Sequence, residues 1–162
     1  MGDYIWRIEN KDGKGAYSFC SGEGQYWGDY HPGPTFHDHP EGNYVEVHDN
    51  HRFGFSKIIT ARRWWCSLPD LIDWESNEKA VLVAFRVADC TDIVELKSQT
   101  MFKPNDYKND KVAFPASWLH TKRMEELINL ADKEFNVKLY GCETLVVKKK
   151  RGRPKKVVDP MF

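Results

Sequence analysis

The sequence predicts an α+β domain with a mostly antiparallel sheet and a few helices, on three observations. Two strand-like runs rich in β-branched and aromatic residues, 4–9 and 80–87, stand far apart in the chain. Two shorter pieces, 92–97 and 99–102, are close enough to form a hairpin. Residues 121–135 place Met124, Leu127, Ile128, Ala131 and Phe135 at the three-and-four spacing of one helical face. The chain has 162 residues, 41% hydrophobic and 30% charged, which suits one domain with a sizeable core and excludes wholesale disorder.

In chain order, Tyr4-Ile5-Trp6-Arg7-Ile8-Glu9 reads as a strand, closed by a turn at Asn10-Lys11-Asp12-Gly13. Residues 14–49 are crowded with Gly, Pro, His and Asp and read as a long loop with one short strand at 44–47. A short strand through Phe55 follows, then a helix capped by Ser56 or Thr60. Ile58, Ile59, Trp64 and Trp65 cover more than one face of that helix, so it reads as well buried. Residues 68–74 form a turn and a short helix. The run 80–87 is almost continuously apolar, as a central strand should be. A closing strand pair is expected around Gly141, within 137–147. The globular domain is therefore set at 1–146 and a flexible basic tail at 147–162.

Charge divides the chain the same way. Overall there are 24 basic and 24 acidic residues, but residues 147–162 hold seven basic and one acidic. The body keeps 17 basic against 23 acidic residues, so an acidic body carries a tail suited to a polyanion. No run of 18 apolar residues is present, which argues against a membrane partner. The start of the chain lacks a basic segment followed by an apolar one, so no secretory signal is read there. Cys20, Cys66, Cys90 and Cys142 are too far apart for a ribbon or a Cys-x-x-Cys pair and read as reduced, buried thiols of a cytoplasmic protein.

His31, His37, His39, His48 and His51 fall among acidic residues in the stretch 29–51. His37-Asp38-His39 and His48-Asp49-Asn50-His51 could supply ligands to zinc or a similar ion, but their spacing matches no zinc-finger or zincin pattern, so a solvated loop is the main reading and no metal is assigned. Gly13-Lys14-Gly15 is followed by no obvious helical pattern, so neither a dinucleotide fingerprint nor a P-loop is supported.

The tail sequence Lys150-Arg151-Gly152-Arg153-Pro154-Lys155-Lys156 resembles an AT-hook. Gly allows close approach to the groove floor and Pro holds the chain extended. Arg151 and Arg153 then suit the narrow minor groove of AT-rich DNA, with the flanking lysines on phosphates.

A second resemblance is scattered along the chain. Tyr4-Ile5-Trp6-Arg7, Phe53-Gly54-Phe55-Ser56 and Ser98-Gln99-Thr100-Met101-Phe102 occur in the motif order of the ADP-ribosyltransferase superfamily. The resemblance implies a split or curved sheet and a pocket for NAD. Arg7, Ser56 and Gln99 would then be the catalytic set, with Arg7 also on the dinucleotide. Trp6, Phe53 and Phe55 would stack on a ring, and His31 could replace Arg7 as the polar anchor. Gln99 stands where that superfamily has Glu; an amide keeps a hydrogen bond but loses the charge that favours an oxocarbenium-like transition state. Glu95 is the nearest carboxylate, and four residues is a long way to move a catalytic oxygen.

The chain also resembles a group of small bacteriophage proteins, through Arg7-Ile8-Glu9, Gly13-Lys14-Gly15-Ala16-Tyr17, His31-Pro32-Gly33-Pro34 with Asp38, Phe53-Gly54-Phe55-Ser56 and Gln99-Thr100-Met101-Phe102. Together these imply a phage accessory protein acting in the host cytoplasm. It would bind NAD or a related nucleotide, with or without turnover as a transferase, and DNA through its tail. The alternative is a non-enzymatic phage protein that binds DNA or inhibits a host protein.

Overall fold

The computed structural model describes residues 2–10, 13, 26–27, 31–32, 51–97 and 99–141. The short strand expected at 44–47, the histidine-rich stretch between Pro32 and His51 and the basic tail lie outside those residues. The chain divides into two compact units, Met1–Arg123 and Met124–Phe162.

The first unit is built on two three-stranded antiparallel sheets. In one, β5 (Val81–Arg86) lies between β1 (Tyr4–Glu9) and β8 (Lys111–Pro115). The central place of β5 follows from its sequence. Four consecutive residues, Leu82 to Phe85, are buried, so neither face can be given to water. In the other sheet, β7 (Thr100–Pro104) lies between β4 (Arg52–Gly54) and β6 (Cys90–Glu95). A short two-stranded ladder joins β2 (Tyr26–Trp27) to β3 (His31–Pro32).

The sheets meet where β1 passes β4. Trp6 and Phe55 exchange backbone hydrogen bonds of 2.8 Å in both directions. Gly54 makes that approach possible, since a Cβ there would lie 2.6 Å from the Trp6 carbonyl oxygen. Behind the junction, Ile5, Val83, Phe85 and Phe102 pack as one cluster. The Phe85 and Phe102 rings are 5.2 Å apart, one from each sheet.

Helix α1 (Ile58–Trp64) follows β4, and α2 (Leu68–Ser76) follows α1. Ser67 caps α2 by accepting the Asp70 N–H, and Pro69 sits in its first turn. Neither Ser56 nor Thr60 caps α1; Lys57 holds that position without a side-chain bond. Nor is α1 well buried: Ile58 and Ala61 are buried and Trp64 is half-buried against Phe55, but Ile59 is exposed. Arg62 ties α1 to the four-residue helix α3 (Trp118–Thr121), donating to the carbonyls of Leu119 and Lys122.

The second unit contributes helix α4 (Met124–Tyr140). It starts three residues later than the expected 121, and its buried residues are Leu127, Ala131, Phe135 and Asn136. Met124 and Ile128, expected on the same face, are exposed. The helix also runs through 137–140, where the sequence had suggested strand. Gly141, with φ +76°, then allows the left-handed turn that ends it.

Candidate functional site

The β6–β7 hairpin brings Glu95 directly opposite Thr100, and the β4–β7 ladder sets Thr100 opposite Gly54. Ser56 lies two residues beyond Gly54, where β4 has ended. Three chain segments therefore converge on one carboxylate. Ser56 Oγ donates to Glu95 Oε2 at 2.5 Å, and Thr100 Oγ1 donates to Glu95 Oε1 at 2.5 Å. The Ser56 backbone N–H donates to Thr100 Oγ1 at 3.2 Å, which fixes that hydroxyl from the other side. Thr100 is buried, Ser56 half-buried and Glu95 exposed.

This arrangement orients a charged acceptor at the surface. An ionised carboxylate offers about four lone-pair directions, and the two hydroxyls take two of them. The rest face water and can accept from a vicinal pair of ligand hydroxyls. Because the hydroxyl bonds pre-set both oxygens, little ordering cost remains when a ligand docks.

Arg7, Ser56 and Gln99 come from neighbouring segments, but their environments differ sharply. Arg7 is only 2% exposed. Its Nε donates to Glu9 Oε2 at 2.6 Å, Nη1 to the Phe53 carbonyl at 2.9 Å and Nη2 to the Gly13 carbonyl at 3.4 Å. Lys111 Nζ reaches the other Glu9 oxygen at 2.5 Å. Arg7 thus fastens β1 to β4 inside a buried network of two cations and one anion. Gln99 is also buried, in the turn between β6 and β7, where its carbonyl accepts from the Leu96 N–H. Its side-chain Oε1 has no hydrogen-bond partner among the described residues.

Trp6, Phe53 and Phe55 are core residues, each 2% exposed or less. His31 pairs with Trp27 through the backbone, and its side chain lies outside what is described. Residues 150–156 are outside it as well. Of the cysteines, Cys66 is exposed rather than buried, and Cys90 is half-buried. Among the described residues no group of three or more His, Cys, Asp or Glu could hold a metal.

The Glu95 cluster was legible in principle. Pairing the two strand pieces as a hairpin sets 95 against 100, so a five-residue separation along the chain closes to one ladder rung. The other end of the same sheet carries a cleft of about 590 Å³, lined by Arg52, Lys103, Asn105, Asp106, Tyr107 and Lys108. There the Arg52 guanidinium lies 4.4 Å over the Tyr107 ring. The Asn109 side chain, donating to Asp106, holds that carboxyl below its ordinary range.

Fold and site define a small α+β protein of two antiparallel sheets with an exposed, hydroxyl-bonded carboxylate at the rim of one. The chain belongs to the Bacteriophage T4 Y00F protein family, whose profile matches residues 1–116, through the end of β8. No curated protein and no solved structure matches it. Among the described residues no helix is long and apolar enough to cross a membrane.

Proposed function

We propose that this phage protein is an accessory factor that binds NAD or a related ADP-ribose-containing nucleotide at the Glu95 cluster, and DNA through residues 150–156. The observation that carries the nucleotide reading is the pair of 2.5 Å hydroxyl bonds to an exposed carboxylate at the junction of β4, β6 and β7. Glu95 supplies the negative charge that Gln99 lacks, beside the segment where the transferase-like motif order calls for it. It accepts from the ribose hydroxyls, while Ser56 and Thr100 hold it in place. Arg7 is a positioning residue in this account, since its bonds to Glu9, Phe53 and Gly13 fix the strands that carry the site.

Charge also sets what the site can do with a bound nucleotide. As the bond from ribose to nicotinamide lengthens, positive charge develops on the sugar, and an adjacent carboxylate stabilises it. Saturation-transfer NMR with NAD, ADP-ribose and adenosine tests the binding. Transfer to the ribose protons of NAD and ADP-ribose, lost in Glu95→Ala, is the expected result. No transfer from the wild-type protein contradicts the reading. Incubation with labelled NAD and host lysate then distinguishes a transferase from a binder. Label appearing on protein or DNA, and absent with Glu95→Gln, is the transferase outcome.

The DNA part rests on the order of residues in the tail. A basic run alone binds any polyanion; Arg-Gly-Arg-Pro adds the shape of a narrow groove.

A further inference from the structure

The corner between α1 and α2 encloses a second, chemically different feature. Trp64 ends α1, Trp65 caps it, and Trp74 reaches back from the second turn of α2. The Trp65 and Trp74 rings meet at 83° with centroids 6.2 Å apart, so they form two perpendicular walls. Leu71, fully buried, also lines the cavity, whose volume is about 230 Å³. Asp70 stands at its exposed edge, with no ion pair among the described residues. No Lys or Arg is among the described lining residues.

We propose that this cavity is an aromatic cage for a methylated ammonium group. Indole faces carry negative quadrupolar potential and attract a cation placed over them. The rings offer that cation no strong hydrogen-bond acceptor. An unmethylated ammonium would lose its water without replacement, whereas a methylated one has little or no N–H hydration to lose. Asp70 adds a full negative charge at the mouth. The start of α2 opposes it with only about half a positive charge, and Ser67 already takes one of that helix's free N–H groups. The balance at the rim therefore favours a cation.

Size and shape exclude the other occupants. The cavity is below the about 300–1,000 Å³ of pockets that take drug-sized ligands. Perpendicular walls cannot sandwich a flat nucleobase between two parallel faces. A purely apolar group would gain nothing from Asp70 and would partly strip its water.

A free choline-like molecule and a methylated lysine on a protein share this chemistry, and the probes separate them. The indole N–H signals of the full-length protein are followed by NMR during titration with choline, with a trimethyllysine peptide and with the same peptide unmethylated. A saturable shift with choline or the methylated peptide is expected, at least about tenfold tighter than with the unmethylated one. Asp70→Asn, an exposed change, weakens it about threefold with an unaltered spectrum elsewhere. Trp74→Ala removes it. Equal response to the unmethylated peptide, or no saturable response to either methylated probe, overturns the assignment.

Discussion

Arg7 shows how one residue type can be read in two ways. Arginine on a first strand suits a phosphate ligand, yet burial here has given its guanidinium to Glu9 and two backbone carbonyls. Arg7→Met leaves Glu9 buried with Lys111 alone, and is expected to cost about 3–5 kcal/mol in urea unfolding. Arg7→Met combined with Glu9→Met and Lys111→Met recovers much of that loss, because the whole charge network is removed and no buried charge is then stranded. A wild-type stability for the single variant would contradict the clamp. The sequence of β1 could not announce this burial, since the carbonyl partners come from Gly13 and from Phe53, 46 residues away.

Cysteine chemistry is likewise decided residue by residue. Burial, then the carboxylates of Asp89 and Asp110, push the Cys90 thiol from its ordinary 9.0 up to about 12. The folded value is the raised one, so the contribution of Cys90 to stability is intact below pH 9 and is lost as pH climbs from 9 toward 12. Because the thiolate is the nucleophile, Cys90 should resist alkylation. Exposed Cys66 is expected to react with iodoacetamide well before Cys90, as read by peptide mass spectrometry. Faster labelling of Cys90 would refute that order.

At the scale of elements, the strands of the described core were the most legible part. Continuous apolar content placed β5 at the centre of a sheet, and the close spacing of two strand pieces gave the β6–β7 hairpin. Strand β8 and helix α3 went unseen. Each is short, and Lys111-Val112-Ala113-Phe114-Pro115 offers only two buried residues to pattern recognition. Helix α4 was legible in type but not in length, because Val137, Leu139 and Tyr140 look like strand formers yet stand exposed in its last turn. The junction of the two sheets is the element-level feature most open to test. Gly54→Ala forces a Cβ against the Trp6 carbonyl, which the paired Trp6–Phe55 bonds hold in place. A loss of about 3 kcal/mol is expected by chemical denaturation; a neutral effect would show that the sheets can part without cost.

For the whole molecule, family membership covers residues 1–116 and so takes in both sheets and the Glu95 cluster. The charge asymmetry between body and tail underlies the proposed contact with DNA. Arg151→Ala with Arg153→Ala is expected to lower affinity for an AT-rich duplex about tenfold or more and to erase its preference over GC-rich duplex. Gel-shift titration at two salt concentrations measures both, and an unchanged preference would leave only a generic basic tail. The candidate site was half visible at this scale. Its three segments stood in recognisable order, while the carboxylate that unites them depended on ladder register, a property of the folded sheet rather than of any local run.

Glu95, held by Ser56 and Thr100, is the proposed receptor for the ribose of an ADP-ribose-containing ligand. Isothermal calorimetry of the full-length protein with ADP-ribose, beside Glu95→Gln and Ser56→Ala, tests it most directly. Saturable heat is expected with the wild-type chain, with at least about tenfold weaker binding for Glu95→Gln and an intermediate loss for Ser56→Ala. Binding of equal strength in all three proteins, or no heat from any of them at millimolar ligand, would contradict it.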